Sequence, residues 1–110
     1  MTNIVTVSTD TEFAEQVAAA GERAVLVDFY ADWCGPCKAM APVLTAYAEA
    51  NPDVLVIKAD VDNLPETAMA HGIRSIPTLE VVRSGKTVAK RVGAVSGSQL
   101  ASFMGASLAA

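Results

Sequence analysis

The chain has 110 residues, a net charge of −4 and a hydrophobic fraction of 52%. A chain of this length can bury a core without a disulfide and is too short for two domains, so we predict a single domain over residues 1–110. Its basic residues are scattered and its apolar runs are strand-sized, which argues against binding to nucleic acid or to a membrane.

Apolar residues recur along the chain with strand and helix periodicities in turn, separated by turn and capping residues. In chain order we predict a strand over 4–7, a helix after Thr9, a strand over 24–30, a helix over 34–50, a strand over 54–61, a short helix ending at Gly72, strands over 78–83 and 87–92, and a helix after Ser96. Strands that alternate with helices indicate a parallel sheet, and the closing strand pair adds an antiparallel part. The predicted fold class is α/β, with a central mixed five-stranded sheet flanked by four helices.

Capping residues predict where three of the helices begin. Thr9 with Glu12, and Ser96 with Gln99, fit the capping box, in which two side chains bond to the backbone N–H groups of the first turn. Asn63 is the expected cap of the short third helix, because proline follows it within the first turn.

Glu80 lies in an otherwise apolar predicted strand, where an unpaired carboxylate would be costly. If Ser84 and Gly85 form a two-residue turn, Glu80 lies opposite Ala89 and Arg91 is the nearest base. We therefore expect Glu80 to be ion-paired or to reach solvent.

Cys34 and Cys37 stand where a buried strand ends and a helix begins. The first turn of a helix has N–H groups without intrahelical acceptors and a partial positive charge, so a thiolate there is stabilised and its pKa is lowered. Two cysteines three residues apart at this position can approach to disulfide distance. We expect Cys34, at the helix end, to be the exposed nucleophile and Cys37, one turn further, to be the resolving thiol.

Structural disulfides and zinc sites also use cysteine pairs. A disulfide between residues 34 and 37 closes too short a loop to stabilise the fold much, and one chain offers only two cysteines and His71 where zinc needs four ligands. We predict no metal site, although the spacing leaves open a site shared between chains, and we expect His71 to be structural or solvated. The first residues do not resemble a secretory signal, so we expect a cytoplasmic protein, and stable disulfides are rare in that compartment.

Three segments resemble the signatures of the thioredoxin family. Residues 27–38 are similar to its active-site stretch, 72–78 to its second signature and 92–94 to its third, and their order and spacing match over essentially the whole chain. The Gly35-Pro36 dipeptide between the cysteines is typical of thioredoxins within the wider fold. The resemblance implies the thioredoxin fold for this chain.

The resemblance also implies a client-binding surface. Ile76 and Pro77 would be joined by a cis peptide that leaves the backbone of Ile76 free to pair with an extended substrate segment. An apolar rim around Cys34 would bind many different proteins weakly. The rim would consist of Trp33, Gly35, Pro36, Ile76, Pro77, Gly93 and Ala94.

Asp28 lies in the predicted central strand, where a charge is costly unless it is paired or protonated. The resemblance implies that Asp28 lies beneath Cys37 and transfers protons during exchange, with Lys58 of the neighbouring strand as its charge partner. Three residues away from the cysteines depart from the family pattern, namely Tyr30, Ser75 and Glu80.

The function implied by the resemblance is dithiol–disulfide exchange that reduces disulfides in client proteins, which makes the chain a protein-disulfide oxidoreductase. The resemblance implies no bound cofactor beyond the redox-active pair of Cys34 and Cys37, with electrons supplied by NADPH through a flavin-containing thioredoxin reductase. We also expect a monomer. Two alternatives are a non-catalytic binding or holdase subunit that uses the rim, against which the intact cysteines argue, and an oxidant or isomerase, against which the Gly-Pro dipeptide argues.

Overall fold

A computed structural model describes residues 2–109 and contains, within that range, five strands and four helices. In chain order these are β1 (Ile4–Val7), α1 (Asp10–Ala20), β2 (Val25–Tyr30), α2 (Gly35–Ala50), β3 (Leu55–Asp60), α3 (Pro65–Ala70), β4 (Thr78–Arg83), β5 (Lys86–Val92) and α4 (Gly97–Ala109). The predicted order of elements is confirmed. None of the helices in residues 2–109 has the length and apolar character needed to cross a membrane.

The strands form one mixed sheet in the order β1-β3-β2-β4-β5. The neighbours β1, β3 and β2 are parallel, whereas β4 is antiparallel to β2 and β5 is antiparallel to β4. β2 occupies the centre because nearly all of its residues are apolar, so both of its faces can be buried. The carboxyl end of this central strand leads directly to the cysteines.

Helices cover both faces of the sheet, and each face has its own core. On one face α2 and α4 pack on the sheet, and the buried side chains include Leu26, Leu44, Leu79, Leu100 and Met104. On the other face α1 and α3 pack on the sheet, and the buried side chains include Phe13, Val27, Phe29, Ile57 and Leu64. Side chains alternate between the faces along a strand, so neighbouring residues of β2 and β4 belong to different cores.

Both predicted caps are present, but only the one at Ser96 is a complete capping box, because Oε1 of Glu12 accepts from the N–H of Ser8 at 3.0 Å and not from that of Thr9. The N–H of Glu12 donates to Oγ1 of Thr9 at 3.0 Å at the start of α1, and the N–H of Gln99 donates to Oγ of Ser96 at 3.2 Å at the start of α4. The return bond in the second box is made by the N–H of Ser96, which donates to Oε1 of Gln99 at 2.9 Å. These local signals correctly located the ends of helices on opposite faces of the sheet.

The predicted cap of α3 is wrong. Leu64 is the N-cap residue of this helix and Asn63 makes no capping bond there. The cap comes instead from α1, where Oδ1 of Asp10 accepts bonds from the N–H of Thr67 at 2.8 Å and from its Oγ1 at 2.6 Å. These bonds also lower the pKa of Asp10, because they stabilise its charged form.

Replacing Asp10 with alanine is therefore expected to lower the midpoint of urea unfolding, because the first turn of α3 loses its only side-chain acceptor within residues 2–109. Asn63→Ala is the matched control and is expected to leave the midpoint unchanged. A lowered pKa means that the carboxylate stabilises the fold above its unfolded pKa and loses that effect as the pH falls. The difference between the Asp10→Ala variant and the unmodified chain should therefore shrink in acid, and equal midpoints at neutral pH would contradict this assignment.

The predicted register of the last two strands is also wrong. Val81 pairs with Ala89 and Val82 with Thr87, so Val88 is an additional residue in β5 and forms a β-bulge. The bulge moves Lys90, not Ala89, opposite Glu80. The expected pairing of Glu80 with a base is confirmed, but its partners are Lys90 and His71 and not Arg91.

Candidate active site

Cys34 is the N-cap residue of α2, and Cys37 lies in the first turn of that helix. The two residues form a disulfide. The backbone N–H of Cys37 donates to Sγ of Cys34 at 3.2 Å. The sulfur of Cys34 therefore occupies the place of a capping oxygen, where the positive end of the helix dipole favours a thiolate. The sulfur of Cys37 has no equivalent position.

The expected difference in exposure between the two cysteines is absent in this disulfide form. Cys34 is 5% exposed and Cys37 is 4% exposed, and both pack with Ala31 and the half-buried Ile76. The bond between the sulfurs keeps both side chains within one turn of α2, and neighbouring apolar groups cover them. The feature that distinguishes the two sulfurs is thus the hydrogen bond to Cys34.

Asp28 is 1% exposed and lies in β2, on the face covered by α2 and α4. Its Oδ1 has no hydrogen-bond partner among residues 2–109. Burial raises the pKa of the Asp28 carboxyl from 3.8 to about 6, and the positive charge of Lys58 opposes this rise. A carboxyl with this pKa can exchange protons near neutral pH.

A cavity of about 110 Å³ connects Asp28 with Cys37 and Lys58. Lys58 is the direct neighbour of Asp28 in the paired strands β2 and β3. Its Nζ, however, lies 5.0 Å from the ring centre of Tyr30 and forms no ion pair with Asp28 in the described part of the chain. The carboxyl of Asp28 and the side chain of Cys37 therefore line one cavity that is large enough for water. The ammonium group of Lys58 is held over the ring of Tyr30.

The loop before β4 contributes the cis peptide bond between Ile76 and Pro77 that the family resemblance implied. Ile76 packs against the cysteines, and the N–H of Gly93 donates to the carbonyl oxygen of Pro77 at 2.8 Å. Gly93 has a φ of +99°, a backbone conformation that favours glycine. Two segments of the expected rim, at Ile76–Pro77 and at Gly93, are thus joined to each other, and Ile76 packs beside the disulfide.

Trp33 lies on the other side of the cysteines, next to the segment that follows β3. Trp33 is 70% exposed, and its Nε1 donates to Oδ2 of Asp62 at 2.9 Å. Gly35, Pro36 and Ala94 are also exposed. An indole held by one bond with most of its surface in solvent is an open apolar contact surface.

Two residues of the site escaped the sequence reasoning. Asp62 orients Trp33, and Tyr30 holds the ammonium group of Lys58. A signal for Asp62 was present, because the carboxyl ends of neighbouring parallel strands meet at one edge of a sheet, and Asp62 and Trp33 follow two such strands. The contact of Tyr30 depends on a side-chain conformation of Lys58 that no sequence pattern specifies.

Taken together, the site has a sulfur at the start of a helix, a second sulfur within one turn, and a buried carboxyl that shares a cavity with the second sulfur. This arrangement can form and break a disulfide and move the accompanying proton. Within residues 2–109, no group of three His, Cys, Asp or Glu side chains is placed to hold a metal ion.

Comparison with known proteins gives consistent matches along the chain. The family model described as Thioredoxin matches residues 4–106. A thioredoxin of Alicyclobacillus acidocaldarius is 51% identical over 86 residues, which is 77% of this chain and 80% of that protein. A thioredoxin of Pseudomonas aeruginosa is 44% identical over 101 residues, covering 91% of this chain and 93% of the relative.

Solved structures agree with these matches. Oxidised mitochondrial thioredoxin 3 of Saccharomyces cerevisiae superposes with a TM-score of 0.80 at 33% identity, over 93% of this chain and 94% of that one. A thioredoxin of Malassezia sympodialis gives a TM-score of 0.83 at 32% identity, over 97% of this chain and 93% of the other. The expected fold is confirmed.

Proposed function

The chain belongs to the thioredoxin family, and from this premise we propose a role for each residue of its active site. The chain is a protein-disulfide oxidoreductase that reduces disulfides in client proteins by dithiol–disulfide exchange. It acts without a bound cofactor, because its redox centre is the pair of Cys34 and Cys37. Proteins of this family act on disulfide-containing clients and usually receive electrons from a thioredoxin reductase.

In the proposed reaction the thiolate of Cys34 attacks one sulfur of a client disulfide. A bond forms between Cys34 and that sulfur, the client disulfide breaks, and the second client sulfur leaves as a thiolate that takes a proton. The observation that supports this role most strongly is the N–H of Cys37 pointing at Sγ of Cys34, because this donor stabilises the attacking thiolate.

Cys37 is the proposed resolving residue. Its thiolate attacks Sγ of Cys34, the internal disulfide forms, and the client leaves as a dithiol that has gained two electrons. Cys37 must first lose its proton, and we assign this proton to Asp28 through the cavity that both residues line. The raised pKa of Asp28 supports the assignment, because a base with a pKa of about 6 accepts a proton more readily than an ordinary carboxylate.

Lys58 is proposed to favour the ionised form of Asp28 before this transfer, so that the carboxylate is ready to accept the proton. Its charge opposes the effect of burial on the pKa of Asp28, although its ammonium group stays over Tyr30. Charges in the poorly screened interior of a protein interact beyond hydrogen-bond distance. Lys58 can therefore act on Asp28 without a direct ion pair.

We propose that clients bind the apolar rim. The backbone N–H and carbonyl of Ile76 form no hydrogen bond within residues 2–109, so they are free to pair with an extended client strand. Trp33 offers an exposed ring on one side of the disulfide, and Gly93 and Ala94 follow β5 on the other. Backbone pairing with apolar side contacts suits recognition of many sequences.

The finer partner and location assignments are also proposals. The proposed electron donor is a flavin-containing reductase that uses NADPH. The chain is proposed to act as one domain and as a monomer. Its proposed compartment is the cytoplasm, since a disulfide reductase needs a reducing environment. Sedimentation at the mass of one chain and a mainly reduced Cys34–Cys37 pair in the cytoplasmic fraction would support these assignments.

An assay that couples NADPH oxidation by thioredoxin reductase to reduction of a disulfide-bonded protein tests the function and the rim together. The unmodified chain is expected to support turnover. Trp33→Ala is expected to lower kcat/KM for the protein substrate by about tenfold, because truncation of an interface tryptophan removes a large apolar contact. Reduction of a small aromatic disulfide should change less than about twofold, because that substrate does not need the rim.

Val88→Ala serves as the control, because Val88 is also an exposed apolar residue but lies in the β5 bulge. It should leave both substrates unaffected. No turnover with any reductase would contradict the proposed electron donor, and equal kcat/KM values for the Trp33→Ala variant and the unmodified chain would contradict the rim.

A further inference from the structure

A second buried carboxylate, Glu80, lies on the opposite face of the sheet from Asp28. Glu80 is 1% exposed. Its Oε1 lies 2.6 Å from Nδ1 of His71 and accepts a bond from Oγ1 of Thr87 at 3.1 Å, and its Oε2 lies 3.1 Å from Nζ of Lys90. Burial raises the pKa of Glu80, but hydrogen bonds from these partners outweigh that effect and leave the pKa below its ordinary value.

Two aromatic side chains pack against the ring of His71. Its ring lies edge-on to Phe13 with centroids 5.5 Å apart, and 5.4 Å from the ring of Phe29. An ionised carboxylate can only accept a hydrogen bond, so Nδ1 of His71 must bear the proton that it shares with Glu80. The imidazole is therefore held in one orientation by two rings and one charge-assisted bond.

Lys90 completes the cluster by making two contacts from β5. Its Nζ pairs with Oε2 of Glu80 and donates to the backbone carbonyl oxygen of His71 at 2.6 Å. One side chain thus joins β5 to β4 and to the residue that ends α3. We call Glu80, His71 and Lys90 the clamp.

Two of the clamp residues, His71 and Glu80, flank the loop that contains the cis proline. This loop, residues 72–77, begins directly after His71 and ends three residues before Glu80. Its far end is tied to β5 by the bond from Gly93 to Pro77. Near Ile76, which faces the cysteines, the only side-chain bond within residues 2–109 runs from Thr78 to the carbonyl of Ser75.

We propose that the clamp consists of positioning residues that hold the 72–77 loop in the shape that presents Ile76 to a client strand. This inference rests on the proposed function, since it assumes that clients pair with the backbone of Ile76. It adds three residues remote from the sulfurs to the determinants of client affinity.

Energetics support a positioning role over a purely stabilising one. Replacing a buried ion pair by apolar residues of similar size is often neutral or favourable for stability, because the ions must be taken out of water. A buried Glu80 is therefore a poor way to strengthen the fold. A charge-assisted network, in contrast, restricts the orientation of every group that it joins, and here it joins the two ends of one loop.

The test compares Glu80→Gln, Glu80→Met and Lys90→Met with the unmodified chain. The Lys90→Met variant leaves Glu80 its contacts with His71 and Thr87, so it is expected to fold even if a Glu80 variant does not. We measure amide hydrogen exchange of residues 72–76, KM and kcat for a disulfide-bonded protein, and reduction of a small aromatic disulfide. Trp33→Ala reports separately on the rim, and Val17→Ala in α1 is the control for a mild loss of packing.

The clamp variants are expected to exchange the 72–76 amides about tenfold faster and to raise KM for the protein about three- to tenfold, because a loop that samples several shapes binds less often in the competent one. Their kcat and their reduction of the small disulfide should stay within about twofold. The Val17→Ala control should leave loop exchange and KM unchanged.

Unchanged loop exchange in the Lys90→Met and foldable Glu80 variants would overturn the clamp, as would faster exchange with an unchanged KM. If Trp33→Ala raises KM while the clamp variants do not, the rim stands and only the clamp fails. If no variant raises KM, the rim itself is wrong and the clamp has no role in client binding.

Discussion

The Cys37→Ser variant is expected to accumulate covalent complexes with client proteins, and the Cys34→Ser variant is expected to form none. Sγ of Cys34 caps α2 and accepts the N–H of residue 37, and a serine at position 37 keeps that N–H. The attacking thiolate is thus still stabilised, but nothing resolves the mixed disulfide. In the Cys34→Ser variant the remaining thiol is one turn inside the helix, and within residues 2–109 its sulfur accepts no N–H like the one that Sγ of Cys34 accepts.

Both variants are expected to lose multiple-turnover reduction by about a thousandfold or more, because the two sulfurs act as a unit and removal of either blocks the cycle. Non-reducing gels of each variant, incubated with oxidised client proteins, measure the trapped complexes. The double serine variant gives the background. Equal trapping by the two single variants would show that the assignment of nucleophile and resolving thiol is wrong.

The Asp28→Asn variant is expected to be more stable than the unmodified chain at neutral pH and equally stable in acid. Asparagine keeps the shape of the side chain and has no charge to bury. The rise of the pKa from 3.8 to about 6 corresponds to a gain of about 3 kcal/mol in the free energy of unfolding above pH 6. The positive charge of Lys58 lowers this pKa, and the value of about 6 is reached in spite of it, so Lys58 reduces the gain without cancelling it.

The direction of the pH dependence follows from proton binding. Between an unfolded pKa near 3.8 and the folded value of about 6, the native state binds more protons than the unfolded state at Asp28. The contribution of Asp28 to stability therefore falls as the pH rises through this window, and the penalty persists above it. Urea titrations at about pH 4 and pH 8 measure the two limits of the difference between the Asp28→Asn variant and the unmodified chain.

The same variant is expected to resolve mixed disulfides at least about tenfold more slowly, since it lacks the base that takes the proton of Cys37. Single-turnover reduction of a model disulfide in stopped flow measures this rate. Asp32→Asn is the matched control, because Asp32 lines the same cavity but is exposed, and it should alter neither stability nor rate. Unchanged stability and rate in the Asp28→Asn variant would mean that Asp28 is neither a buried charge nor a base.

Features that depend on residues close in sequence were predictable. The caps at Thr9 and Ser96 each accept a bond from the N–H three residues further on, and both formed as expected. The position of Cys34 at the start of α2 follows equally from a buried strand that ends shortly before an amphipathic helix. A reactive side chain at the start of a helix can be predicted from sequence, because the free backbone N–H groups of the first turn provide its hydrogen-bond donors.

Features that depend on contacts between distant segments were not predictable. The cap of α3 is Asp10 and not Asn63, and Asp10 lies 57 residues before Thr67, whose N–H it accepts. The lysine partner of Glu80 is Lys90, where Arg91 was expected, because β5 contains a bulge that turn length alone does not predict. In both cases the need for a partner was clear from the chemistry of the residue, whereas its identity was set by how the helices and strands lie against each other.

The bulge at Val88 also means that β5 has one residue more than the contact between Glu80 and Lys90 requires. If Val88 were deleted, Thr87 could still pair with Val82 and Ala89 with Val81, so Lys90 would remain opposite Glu80. Regular pairing of the full-length strand would instead place Ala89 opposite Glu80 and turn the side chain of Lys90 to the other face of the sheet, which would leave the buried acid without this cation. We therefore expect β5 to tolerate a one-residue deletion at the bulge, whereas a change in its register opposite Glu80 would be costly.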